Sequence, residues 1–408
     1  MNESQTPWKD NKWLPGVLNK AQMISLMEAH LILDCDLESA KKDIEEDASA
    51  LDLHLSNEVY EMLKGSIKPF NQSYREIITD TEYAKPLTDN DGFFSLETGH
   101  CYLVKIKERL SPSLKIYPIY GQATAKSSVG RVDVIARLIV DGMKEYESFN
   151  PREIDTGEMF LEITPITFNV CIKEGRSISQ LRFFYGKIED SIITDERFIQ
   201  SILNLHDGIE NSGTLSVDIS NTPISENSKV VAAAYKAKKD ENVNNKIELG
   251  RKVGDESQKY PQKQFWDFKL SDERNSLKSI QIERDQFYIL RSKERISLPG
   301  GVCIYCKAMD ETLGEMRIHY AGFVHPFFGF KRTDRRKGTP LIFEVRGHNV
   351  PVLLTHEEIL ARLFIYRMSE NVDEEKYDEQ LKRSVGAKTN YNDQELKLSN
   401  LFQEFWSE

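Results

Sequence analysis

Residues 123–131 read ATAKSSVGR, which sets two adjacent hydroxyls, a glycine and two cations, Lys126 and Arg131, within nine positions. A tight turn containing glycine aims several backbone N–H groups at one point, and the cations add charge, so this stretch offers capture of an anion such as a phosphate chain. The same residue types also make an ordinary polar surface turn. A second reactive group, Glu162 in MFLEI, follows 31 residues after Arg131 and sits among Phe160, Leu161 and Ile163. On a buried strand, low polarity raises a carboxyl pKa toward the range where it both takes and gives protons. The competing assignment is an inward glutamate paired with a neighbouring cation.

Other candidate chemistry is weaker. Cys303 and Cys306 have metal-like spacing in GGVCIYCKAM, but that run is apolar and β-prone. On a strand, positions i and i+3 face opposite sides and do not ligate one metal together. No His-x-Glu occurs and no proline precedes Cys303, so the signature of the zinc-dependent nucleobase deaminases is missing. The basic run KRTDRRK (331–337) reads as a solvated hairpin loop, and DLESAKKDIEED (36–47) as a solvated helix or loop.

The whole-chain balance narrows the function classes. A net charge of −11 argues against a general nucleic-acid binder, which needs a broad basic face, and leaves small anionic ligands held in a local pocket. MNESQTPWKD is no basic start to a signal peptide, and no apolar run approaches the ~20 residues that cross a bilayer. No membrane association and a cytoplasmic location are the expectation. Five scattered cysteines are unlike a secreted disulfide framework.

The elements that must position these residues are short β runs separated by Gly, Pro, Asn and Asp, among them CYLVKIK, VDVIARLIV, MFLEI, LRFFYG, FYILRS, PLIFEV and LFIYRM. They predict a mainly β chain, barrel or sandwich, with a few short helices. NKAQMISLMEAHLI predicts one helix, with Met23, Ile24, Met27 and Leu31 at helical spacing. The runs also repeat. YLVKIKERL (102–110) returns as YILRSKERI (288–296), Gly130 as Gly314, FLEI (160–163) as IFEV (342–345), and Leu181 as Leu363, with an offset drifting only from 186 to 182 residues. Such a drift is the trace of two copies of one domain. The predicted division is 1–212 and 213–408, with a polar connecting stretch at 219–262, where VVAAAY is a possible strand, and a tail at 370–408. THEEILARL (355–363) carries a capping-box pattern in Thr355 and Glu358, yet its first-half counterpart KEGRSISQL reads as turn then strand, so turn then strand is expected here too.

ATAKSSVGR followed by Glu162 in FLEI resembles the phosphate-binding and catalytic segments of dCTP deaminases, relatives of the trimeric dUTPases. The second half, with AGFVHPFFGF, FEVRGHNVPVLLTHEEILARLFIYRM and the tail GAKTNYNDQELKLSNLF, looks like the duplicated, double-length bacterial form. The resemblance implies two tandem dUTPase-like β-clip (distorted jelly-roll) barrels and hydrolysis of dCTP to dUTP and ammonia. It implies catalysis by Glu162 and Ser127, with the triphosphate held by Lys126, Ser127, Ser128 and Arg131 and by tail residues Lys388, Tyr391 and Gln394. It further implies Mg²⁺ arriving with the nucleotide, no zinc or other resident metal, dTTP as an inhibitor, and a homotrimer with sites between subunits. The copies differ: KSSVGR becomes DETLGE (310–315), whose acids would repel a triphosphate by on the order of 1 to 4 kcal/mol per contact at ~4 Å, so the second copy is expected to lack a phosphate site. His325 stands where single-domain relatives have an aspartate, and its role stays open between function and an ordinary turn histidine. The alternatives are a bifunctional enzyme that also releases dUMP, with Asp155 as its candidate aspartate, and a nucleotide binder without catalysis.

Overall fold

The computed structural model describes residues 7–8, 13–68, 72–204, 211–223, 231–238, 246–253, 256–272, 278–309, 317–318, 322–330, 338–383 and 395–403. Strands dominate, and two large sheets carry the framework. In the first half the main strands are β1 (Leu51–Met62), β2 (Tyr102–Ile106), β3 (Ile119–Ala125), β4 (Val134–Val140), β5 (Ser148–Phe149), β6 (Met159–Pro165) and β7 (Ser177–Tyr185), ordered β5-β3-β7-β1-β2-β6-β4. In the second half they are β8 (Thr214–Asp218), β9 (Phe287–Ile296), β10 (Val302–Ala308), β11 (Arg317–Ile318), β12 (Gly322–Val324), β13 (Thr339–Arg346) and β14 (Ile359–Arg367), ordered β12-β10-β14-β8-β9-β13-β11.

The repeat seen in the sequence is therefore a repeat of topology and of register. Glu162 on β6 pairs with Leu103 on β2, and Glu344 on β13 pairs with Ile289 on β9, the position that follows Leu103 at the repeat offset of 186. THEEILARL forms turn then strand: Val352–Thr355 and β14 are separate strands, and Glu358 accepts from the Thr355 N–H (3.0 Å) and hydroxyl (3.1 Å) to close the turn. The capping pair works here without a helix behind it, because the chain beyond alternates buried and exposed positions.

The helix α1 (Lys20–Glu28) begins at a complete capping box of Asn19 and Gln22 and buries Met23, Leu26 and Met27. Its start also touches the second half, since Gln22 Nε2 donates to Ser369 Oγ at 3.0 Å. The stretch 36–47 contains a short exposed helix, Leu37–Asp43, as a solvated face should.

The connecting region does more than join the halves. Ala234–Ala237 pairs with β9 (Tyr235↔Ile289), so VVAAAY does supply strand, while Ile247–Glu248 pairs in parallel with Val170–Lys173 of the first half. Tyr235, Ile247, Leu249 and Trp266 enter the first half's core, as do Leu396, Leu398, Leu401 and Phe402 of the tail. Trp266 packs against Phe168 of the first half (ring centroids 5.6 Å apart) and Phe402 of the tail (5.8 Å). The described parts of the two halves thus share apolar interior, and the boundary between them is a packed interface. No helix among the described residues is long and apolar enough to cross a membrane.

Candidate active site

ATAKSSVGR runs from the end of β3 into a single helical turn, Ser127–Gly130. Lys126 precedes that turn with extended backbone and pairs with Asp52 of β1. Ser127 is exposed and Ser128 half-buried, so the hydroxyl end of the loop faces outward. Arg131, expected at the phosphates, turns inward instead. It is 8% exposed, its Nη1 donates to the Leu398 carbonyl at 3.2 Å, and its Nε lies 4.0 Å from a carboxylate oxygen of Glu344.

Glu344 is the second-half counterpart of Glu162, and its position follows from simple strand geometry. Residues i and i+2 of a strand face the same side, so Glu344 and Arg346 of β13 both meet the segment that leaves the loop. Glu344 faces Arg131, while Arg346 pairs with Asp133 and donates to Thr167 Oγ1 at 2.6 Å. Asp133 is fully buried, has a left-handed backbone (φ 57) and accepts from Thr167 Oγ1 at 2.5 Å. Glu344 itself is 7% exposed. Burial pushes its carboxyl up to about 8, against the opposing pull of Arg131, and Asp133 pushes the same way as burial. Burial and the nearby Glu344 charge together raise the Cys306 thiol to about 12.

Glu162 is also buried, at 6% exposure, but its surroundings are not purely apolar as its neighbours in sequence imply. Ser66 Oγ donates toward both of its oxygens (2.8 and 2.9 Å), and the Tyr146 hydroxyl donates at 3.1 Å. Cys101 lies close enough that Glu162, after burial, helps raise its thiol to about 12. Arg137, opposite Glu162 on β4, stands 5.7 Å from the Tyr146 ring centroid.

The tail crosses the loop. Ser399 Oγ donates to the Ser128 carbonyl at 3.2 Å, one residue after the carbonyl that receives Arg131. Just before it, Glu395 pairs with Arg291 (3.2 Å) and Arg295 (2.9 Å) of β9. Lys388, Tyr391 and Gln394 lie outside the described residues, as do DETLGE and KRTDRRK.

His325 has a structural explanation. Its Nδ1 accepts the Ser49 N–H at 3.2 Å and meets Ser49 Oγ at 2.9 Å, which leaves the ring proton on Nε2. Burial, then Arg182 and Lys126, push the imidazole down to about 3. Arg182 binds the same Ser49 through its carbonyl and hydroxyl and lies 3.9 Å from the Phe323 ring centroid, so this network fastens the 322–330 hairpin to the first half. Cys303 and Cys306 both lie on β10, Cys303 in the Phe327–Tyr366 cluster and Cys306 against the second-half core, on opposite faces as i and i+3 require. Asp155 is exposed. Among the described residues no three His, Cys, Asp or Glu side chains converge as metal ligands.

Sequence reasoning missed Glu344, Ser66 and Tyr146. The repeat placed Glu344 at the position of Glu162, but the loss of charge in DETLGE drew attention away from the whole second copy. Ser66 carries no signal in its own sequence context.

Two protein-family models match the chain. That for the N-terminal domain of 2′-deoxycytidine 5′-triphosphate deaminase covers residues 14–187, and that for the C-terminal domain covers 189–402. Among solved structures, 2′-deoxycytidine 5′-triphosphate deaminase from Agrobacterium tumefaciens superposes with a TM-score of 0.71 at 25% identity, over 89% of this chain and 98% of that one. The comparison with curated proteins gives no match.

Proposed function

The chain belongs to the 2′-deoxycytidine 5′-triphosphate deaminase family, and from that premise we propose that it hydrolyses dCTP to dUTP and ammonia by acid–base catalysis from a buried strand glutamate. The observation that carries the reading is the meeting of the Lys126–Arg131 loop with a buried carboxylate, Glu344, whose affinity for protons is raised into the working range. An anchor for phosphate and a proton carrier in one place are what the reaction requires.

The loop binds the triphosphate through the N–H groups of its helical turn, the outward hydroxyls of Ser127 and Ser128, and Lys126 once the nucleotide displaces Asp52. Mg²⁺ arrives as part of the substrate, bound to the phosphates. Water then adds through oxygen to C4, the C4–N3 π pair moves to N3, and the carboxylate carries the released proton to N3. The carboxylate next takes the proton of the new C4 hydroxyl and gives it to the amino group. Ammonia leaves with the C–N pair as the C4=O bond forms. The tail residues Leu398 and Ser399 close the loop from outside, which limits water to the nucleophile.

The test is to incubate the purified chain with Mg·dCTP, with and without a zinc chelator, and to follow ammonia, dUTP, dUMP and pyrophosphate. Equal amounts of ammonia and dUTP, unchanged by the chelator, are expected. Loss of activity on chelation refutes the zinc-independent mechanism, dUMP with pyrophosphate identifies the bifunctional alternative, and dCTP left intact refutes the proposal.

A further inference from the structure

Resting on that reading, the geometry points to Glu344, and not Glu162, as the glutamate that moves the protons, in a site that each chain assembles within itself from the loop of its first half and the β13 carboxylate of its second. Both glutamates hold the same register on equivalent strands, so sequence spacing gives them equal standing. Their partners separate them.

Glu344 meets Arg131 across the boundary between the halves, held there by a second contact two residues further along both segments, Asp133 with Arg346. Two matched contacts fix the register of loop against strand, and a slip of one residue on β13 would turn both side chains away. Glu162 is engaged by hydroxyls of its own half. Ser66 spans its two oxygens and Tyr146 takes one of them, contacts that satisfy an ionised carboxylate in place. The halves have divided the labour: the first retains KSSVGR, while the second retains the carboxylate that faces it and has exchanged its own loop for DETLGE.

The assignment is tested with three full-length variants, Glu344→Gln, Glu162→Gln and Arg131→Ala. Glu344→Gln is expected to lose at least about 10³-fold in kcat, the upper part of the range for acid–base groups, because both proton transfers pass through it. It should still bind Mg·dCTP, read as a ligand-induced rise in Tm, which separates lost chemistry from lost folding. Glu162→Gln is expected to stay within about threefold of wild type, and Ser66→Ala, which removes the donor to both Glu162 oxygens, supplies the same comparison if that variant does not fold. Co-expressed Arg131→Ala and Glu344→Gln chains should show no regained activity, since every chain then lacks one part of its own site. Regained activity would mean that loop and carboxylate come from different chains and overturns the inference. An inactive Glu162→Gln that still binds, beside an active Glu344→Gln, overturns it too while leaving the deaminase reading intact. A wild-type chain that binds Mg·dCTP but releases no ammonia overturns both.

Discussion

Arg346 is the position where the link between the halves can be measured. Replacing it by methionine keeps the aliphatic stem but removes the cation that faces Asp133, a carboxylate with no exposed surface. Breaking a buried ion pair from one side costs about 3–5 kcal/mol, and the remaining Thr167 hydroxyl bond (2.5 Å) places the expected loss for Arg346→Met near the lower end, about 3 kcal/mol. Asp133→Asn should cost less, about 1–2 kcal/mol, for two reasons. Asparagine tolerates the left-handed backbone at this position (φ 57), and Arg346 keeps its bond from Nη1 to the Asp285 carbonyl (3.0 Å). The double variant has no uncompensated charge and should regain most of the Arg346→Met loss. Urea unfolding followed by tryptophan fluorescence is suited to this cycle, because Trp266 lies between Phe168 of one half and Phe402 of the tail. Simple additivity of the two single losses, or an Arg346→Met cost below about 1 kcal/mol, would refute the claim that this pair holds loop and strand in register.

Three further outcomes follow from the same contacts. Because Glu344 is raised to about 8, it binds a proton in the folded chain that it releases when unfolded above its ordinary range, so its contribution to stability is complete at low pH and is lost as pH rises from about 4.5 through 8; pH-dependent denaturation should show a shallower fall in Glu344→Gln than in wild type, while kcat/KM of wild type rises over pH 6–8 as the base form appears. Asp52→Asn should release Lys126 for phosphate and lower KM for dCTP several-fold at low ionic strength, with the gain shrinking in salt; an unchanged KM would place Lys126 away from the nucleotide. Phe402→Ala removes a buried ring that meets Tyr260, Phe265 and Trp266 and should cost about 3–5 kcal/mol in urea unfolding, with KM raised because Leu398 and Ser399 lose their anchorage over the loop.

Much of this architecture was legible because repetition is a property of the sequence itself. KER twice after a β run, and FLEI matched by IFEV at nearly the same offset, predict paired copies, and the strand orders and the Leu103 and Ile289 registers agree. The capping pattern at Thr355 was correctly outweighed by its first-half counterpart, since a capping pair states which donors are available and a strand's alternation states what the following residues bury. What spacing along one copy does not encode is which copy's carboxylate a loop will face. Arg131 and Glu162 are 31 residues apart and were grouped for that reason, but Arg131 reaches Glu344 across the fold because β13 of one half packs on the loop exit of the other. Duplication makes this outcome physically easy to maintain. Once one loop and one carboxylate from opposite copies meet, charge in the second loop has no bound phosphate to stabilise it, and the first copy's glutamate can be enclosed by Ser66 and Tyr146 without loss of the reaction. Loss of charge in DETLGE and the hydroxyl shell around Glu162 are then two consequences of the same event, the concentration of one complete site per chain at the boundary between its halves.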